Sequence, residues 1–194
     1  STQGYSSAAS DVYKRQGYNL SERSLAMEST TIYRENAAEQ ISEQLKPLLS
    51  RDIVLLCIGT ENVTGDSLGP RVGTLIQNKM KRPLLVYGYE GCNVNAQNLV
   101  LAYDMVRVMH PEKQIVVIDA AVGDNEEVGC VQIHKGGIMP GAATNKNLPQ
   151  VGDVSILGVV SKRGCQDFYS SHSDRVMLVE KMAETIAESI IMSA

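Results

Sequence analysis

The stretch Ile53-Val54-Leu55-Leu56-Cys57-Ile58 constrains this chain more than any other feature. It is apolar without a break, rich in branched side chains, and followed at once by the turn residues Gly59-Thr60. A strand with no polar alternation has to be covered on both faces, and parallel sheets flanked by helices supply that cover. Ile115-Val116-Val117-Ile118 is a second run of the same kind. Helical patterns lie between the two. The spacing predicts a helix over Pro70–Lys81, with Val72, Leu75, Ile76 and Met80 on one face, and another over Ala96–Met109, closed by His110-Pro111. Strands alternating with helices point to an α/β fold, a mostly parallel sheet in a three-layer α/β/α arrangement.

Other segments extend the pattern. Ile32, Ala37, Ile41, Leu45 and Leu48 recur at helical spacing over Thr31–Leu49, where Pro47 should end the helix. Leu84–Tyr87, Val128–His134 and Val154–Val160 read as strands, and Asp174–Met192 as a long final helix with Val179, Met182, Ile186 and Ile190 inward. Residues 1–27 differ: they are rich in Ser, Gly, Tyr and Asn and show no period. Their Ser6–Gln16 stretch resembles a translated sequencing adapter. Whether leader or scar, this segment is expected to be disordered and to add nothing to the core, leaving residues 28–194 as a single domain.

A chain of 194 residues is long enough to build its own core. With eight Tyr, one Phe and no Trp, that core is made of aliphatic side chains and Met. A formal charge of −4 argues against broad nucleic-acid binding. No run is long enough to span a bilayer, and no basic-apolar-small pattern opens the chain, so neither membrane insertion nor secretion is expected. The four cysteines form no CxxC pair; Cys57 and Cys130, inside apolar runs, read as buried thiols in a reduced, cytoplasmic setting.

In doubly covered sheets, function gathers at the carboxyl ends of the strands. The segment Gly59–Pro70 leaves the first buried strand and enters a helix, but matches neither a Walker loop nor GxGxxG. Asp66 is its acid, and it reads either as the cap of that helix or as a catalytic group. Asp119 directly follows the second buried run. A carboxylate there needs a compensating partner, and with Asp66 it makes an acid/base pair of one protonated and one ionised group conceivable. The aperiodic Gly136–Asp153 connection reads as a functional loop expected to flank the pair. His110, His134 and His172 lack ligand spacing and read as structural, while Cys165, Asp167 and His172 could form a triad only if geometry brought them together.

The motifs Cys57-Ile58-Gly59-Thr60, Thr64–Gly73, Val117-Ile118-Asp119-Ala120 and Pro140-Gly141-Ala142, with Lys146, Leu148-Pro149 and Val151-Gly152-Asp153, together resemble the YyaC-type sporulation proteins of endospore-forming bacteria. That family is similar in turn to the spore germination protease, which degrades small acid-soluble spore proteins, and to the hydrogenase-maturation endopeptidases. The resemblance implies a phosphorylase/hydrolase-like fold and an endopeptidase with Asp66 and Asp119 as catalytic carboxylates. Thr60, Glu61, Asn95, Lys146 and Asp153 are the substrate-binding candidates.

In the hydrogenase proteases, the matching acids and a His from a later loop bind nickel of the substrate. Here the later loop, Leu148–Asp153, has no His, and Asn93 and Asn95 stand where relatives have Pro and His. No metal site and no cofactor are therefore expected. The resemblance points to a protein or peptide substrate, small acid-soluble spore proteins among them, and to the interior of a sporulating cell or spore; the sequence leaves a homo-oligomer open. The alternatives are a non-catalytic sporulation protein that keeps the scaffold for binding, and a nickel-probing maturation protease.

Overall fold

A computed structural model describes residues 29–50, 52–80, 84–139, 150–165, 168 and 171–194. Along the chain these form β1 (Ser29–Thr31), α1 (Ala37–Leu45), β2 (Ile53–Cys57), α2 (Leu68–Lys79), β3 (Leu85–Tyr87), α3 (Leu99–Met109), β4 (Gln114–Gly123), β5 (Cys130–Lys135), β6 (Val154–Lys162) and α4 (Ser173–Ile191). One 3₁₀ turn, Thr64–Ser67, leads into α2, and another covers Asn125–Glu127.

The strands form a single sheet in the order β1-β5-β6-β4-β2-β3. β3, β2, β4 and β6 pair in parallel, whereas β5 is antiparallel to both β6 and β1. The sheet is thus mostly parallel, as the sequence led us to expect, with one reversed strand that it did not reveal.

Both apolar runs are buried on both faces. All five residues of β2 are buried, and their side chains alternate between two cores. Ile53, Leu55 and Cys57 face the layer made by α1, α2 and α4. Val54, Leu56 and Ile58 face α3. Each such side chain contributes roughly 1.5–3 kcal/mol when removed from water, so a period-2 strand with no polar face is stable only between two layers. The result is a three-layer α/β/α sandwich.

The helices follow their apolar stripes. In α1, Ala37, Ala38, Ile41 and Leu45 are buried, and the helix stops before Pro47. α4 buries Val179, Met182, Ile186 and Ile190, the stripe seen in the sequence. Two expectations need correction. Thr31 does not open a helix but ends the short edge strand β1, which pairs with β5. Cys130 is only half-buried, while Cys57 is fully buried and desolvation pushes its thiol pKa up. Residues 1–27 lie outside the described residues, as do Asp167 of the possible triad and the central part of the Gly136–Asp153 connection. None of the described helices is long and apolar enough to cross a membrane.

Candidate active site

At the carboxyl edge of the sheet β2 stops at Cys57, while its neighbour β4 runs on to Gly123 beside β6. This leaves a step, and Asp119 stands on it. It is therefore not the last residue of its strand, as the apolar run implied, but the first residue of β4 beyond the end of the β2 ladder. The Ile58 N–H donates to the Ile118 carbonyl at 2.8 Å, which carries the parallel register to the edge of the step.

Gly59 then turns the chain back. Its φ of 139° is strained for any side-chain-bearing residue, and a Cβ at this position would collide with the Asp66 carbonyl oxygen. The Thr60 N–H donates to that same carbonyl at 3.0 Å, and the Asp66 N–H donates to the Val63 carbonyl at 2.9 Å. The loop is thus folded onto the end of β2, with Asp66 held inside the Thr64–Ser67 turn. Gly69 completes the arrangement: it lies directly against Ile58, where a Cβ would meet the backbone, so α2 starts in contact with the strand end.

Asp66 does not cap α2. The helix starts at Leu68, its cap position is Ser67, and no side chain makes a capping bond there. The capping alternative is therefore corrected, and the Asp66 carboxyl needs another explanation. Burial raises its pKa to about 6, opposed by the Thr60 backbone N–H. The Asp119 carboxyl is pushed well above the ordinary range, first by burial and then by the charge of Asp66, against the opposing bond from the Ala120 N–H. That bond measures 2.9 Å to Oδ1. Two carboxyls from different elements are therefore both poorly solvated, and the charge of Asp66 acts on Asp119.

Three other candidates gather around this edge. Thr60 supplies the N–H bonds just described. Glu61 accepts a 2.7 Å bond from the Gly91 N–H and so ties the loop after β2 to the loop after β3. Val94 pairs with Ile58, and its carbonyl accepts from the Gly59 N–H at 2.8 Å, which places Asn95 beside the strand end. The Asn95 side chain is already engaged: Oδ1 accepts from the Gln97 N–H at 3.0 Å in the turn that leads into α3.

Asp153 is elsewhere. Because β5 is antiparallel, Lys135 pairs with Val154, and the described ends of the Gly136–Asp153 connection emerge at the amino edge of the sheet. There Asp153 Oδ2 accepts from the Ile115 N–H at 2.8 Å and lies 3.9 Å from Arg107. It anchors the start of β4 and does not join the two aspartates. Lys146 lies outside the described residues.

Sequence reasoning gave no role to Arg71. It borders a cavity of about 100 Å³, together with Glu61, Thr64, Ser67 and Glu90, beside the turn that carries Asp66. Its guanidinium lies 3.0 Å from Glu180 and 3.9 Å from Glu90. The available signal was an arginine in the first turn of an otherwise apolar helix face. His134 is partly buried with its pKa lowered by desolvation, and its Nε2 has no bonding partner among the described residues. Among the described residues, no group of three or more His, Cys, Asp or Glu is placed to hold a metal ion.

Residues 29–189 match the family model described as "Protein of unknown function (DUF1256)". The chain belongs to this family. One relative is the protein described as "Uncharacterized protein YyaC" from Bacillus subtilis (strain 168), 35% identical over 161 residues, which cover 81% of this chain and 78% of that protein. The family assignment agrees with the resemblance carried by the Thr64–Gly73 and Val117–Ala120 motifs. Among solved structures, a NiFe hydrogenase maturation protease, HycI from Thermococcus kodakarensis KOD1, aligns with a TM-score of 0.48 at 21% identity, covering 76% of this chain and 98% of that one.

Proposed function

We propose that this DUF1256 protein is an endopeptidase whose two aspartates activate water for peptide hydrolysis. The observation that carries the reading is that two poorly solvated carboxyls, Asp66 and Asp119, lie at the step in the sheet, the charge of the first acting on the second. Burial raises the pKa of both carboxyls, that of Asp66 to about 6, and at Asp119 the charge of Asp66 adds to the rise. In this reading Asp66 is the carboxylate and Asp119, raised by burial and by the charge of Asp66, is the protonated partner, the division of labour that general acid/base catalysis by two carboxyls requires.

In this mechanism the Asp66 carboxylate takes a proton from water as the water oxygen attacks the scissile carbonyl carbon. Asp119 gives its proton to the substrate. As the tetrahedral species collapses, the C–N bond breaks, the amine leaves with the proton returned from Asp66, and a hydroxyl on the former carbonyl carbon gives its proton back to Asp119 as the carboxyl product forms. Thr60 and Glu61 support the reading by fixing the loop that carries the base. Asn95 serves in this account by holding the turn beside the strand end, and Asp153 has no part in the chemistry.

The substrate class follows from the family resemblance: proteins of the sporulating cell, with small acid-soluble spore proteins as the first candidates, met in the cell interior. The test is to incubate the full chain with such proteins and map the products by mass spectrometry. Cuts at defined peptide bonds, absent with Asp66→Asn, are expected. Binding without cleavage would identify a non-catalytic member of the scaffold and refute the proposal.

A further inference from the structure

Helix α3 has two apolar faces, and the fold uses one of them. Leu99 and Val106 are buried against the sheet, with Ala102 and Tyr103 partly so. On the other side Leu101, Met105 and Val108 recur at the i, i+4, i+7 spacing of a single stripe, flanked by Val100 and Met109. Leu101 is 75% exposed and Val108 81%. The other long helices differ: α1 turns Glu39 and Glu43 outward, and α4 turns out Lys181, Glu184 and Glu188. An exposed apolar stripe of this kind on a surface helix ordinarily marks a face that something covers. The exposed stripe, on the order of 500 Å², is as large as the greatest apolar patch typical of a soluble monomer.

We propose that this face is covered by the same face of a second copy of the chain, the two α3 helices packing antiparallel about a two-fold axis at Met105. Two features of the patch favour its own copy over an unrelated partner. The first is charge. Asp104 and Arg107 lie on the same flank of the stripe, and antiparallel packing turns like flanks towards each other. Asp104 of each copy then lies nearest Arg107 of the other, so one arrangement pairs both charges twice. Arg107 is half-exposed and only 3.9 Å from Asp153, and its planar fork has donors for both acids.

The second is area. A standard interface needs about 800 Å² from each partner, with an apolar core and a polar rim. The stripe supplies most of that as core, and the Asp104 and Arg107 flank begins the rim. α3 starts beside the carboxyl-edge site and ends at the opposite edge, so an antiparallel pair leaves the two sites open at opposite ends of the dimer.

Sedimentation equilibrium of the full chain tests this directly. A mass near twice the 21.1 kDa of one chain is expected at micromolar concentration. Leu101→Glu and Val108→Glu each place a charge in the core of the interface and should weaken the dimer by roughly 100-fold, with an unchanged far-ultraviolet circular dichroism spectrum. Asp104→Arg should weaken it through repulsion from Arg107, and Asp104→Asn should do so less. Met105→Cys, at the axis, should cross-link on mild oxidation beyond the level of the unaltered chain, whereas Met177→Cys, exposed on α4, should not. A chain that stays monomeric at about 100 μM, where the micromolar dimer proposed here would be the main species, overturns the proposal. So does a dimer indifferent to Leu101→Glu and Val108→Glu, or the absence of cross-linking through Met105→Cys.

Discussion

The charge of Asp66 reaches the carboxyl of Asp119: it adds to burial in raising the Asp119 pKa, although the two residues are 53 positions apart in the chain. The coupling exists because β2 ends one residue short of Asp119 and the Gly59 turn folds Asp66 back over that end. A raised folded pKa has a definite sign in linkage. The folded state prefers the protonated acid, so the stabilising contribution is complete below the unfolded pKa near 4 and disappears as pH rises through the folded pKa. For Asp66 that window runs from about 4 to about 6. Asp66→Asn should therefore match the wild-type denaturant midpoint near pH 4 and exceed it above pH 6. A midpoint difference that does not grow with pH would contradict the burial of this carboxyl.

Gly59 is a second point of leverage. Any side chain there meets both a φ of 139° and the Asp66 carbonyl. Gly59→Ala should cost about 2–4 kcal/mol in chemical denaturation, at the upper end of ordinary single substitutions. Protein that does fold should lose the raised Asp66 pKa, since the turn that buries the carboxyl can no longer close. A neutral Gly59→Ala would show that the loop does not sit on the strand end.

Asp153 should behave as a structural residue. Asp153→Ala leaves the Ile115 N–H without its acceptor and should lower stability by about 1–2 kcal/mol, the cost of an orphaned donor at a part-buried site. Asp153→Asn retains an acceptor and should recover most of it. Neither should alter the rate per folded molecule. A selective loss of rate with unchanged stability would return Asp153 to the substrate site.

Asn95 predicts the same kind of separation. Its Oδ1 satisfies the Gln97 N–H at the entry to α3. Asn95→Ala should cost about 0.5–2 kcal/mol, and Asn95→Asp or Asn95→Ser should cost little, because each keeps a side-chain oxygen in place. Equal losses for all three substitutions, measured by denaturant midpoint, would refute a turn-holding role.

The two continuous apolar runs made the layered sheet legible, since Ile53–Ile58 and Ile115–Ile118 have no polar face to show to water. They also led to Asp66 and Asp119, because the acid that follows such a run has to lie near the carboxyl edge. Two things could not be read. The strand Ser29–Thr31 is three residues long and carries no period of its own; only its pairing with β5 makes it a strand. The direction of β5 also left no local trace, as a short strand reads alike in either sense. That direction decides at which edge the Gly136–Asp153 connection begins and ends, and hence why Asp153 was grouped with the aspartates by sequence and separated from them in space. The capping reading of Asp66 failed for a related reason: the helix starts at Leu68 after a 3₁₀ turn, and the one-dimensional pattern does not distinguish that turn from the helix.

The central claim is that Asp66 and Asp119 act as one base and one acid. The direct measurement is the rate of peptide-bond cleavage of a small acid-soluble spore protein as a function of pH, for the wild type and for Asp66→Asn. The wild-type rate should rise with a limb near pH 6 as the Asp66 carboxyl ionises, and fall at higher pH as Asp119 loses its proton. Asp66→Asn should lack cleavage at every pH while keeping the fold. Full activity in Asp66→Asn, or a wild-type profile with no limb near pH 6, would contradict the account.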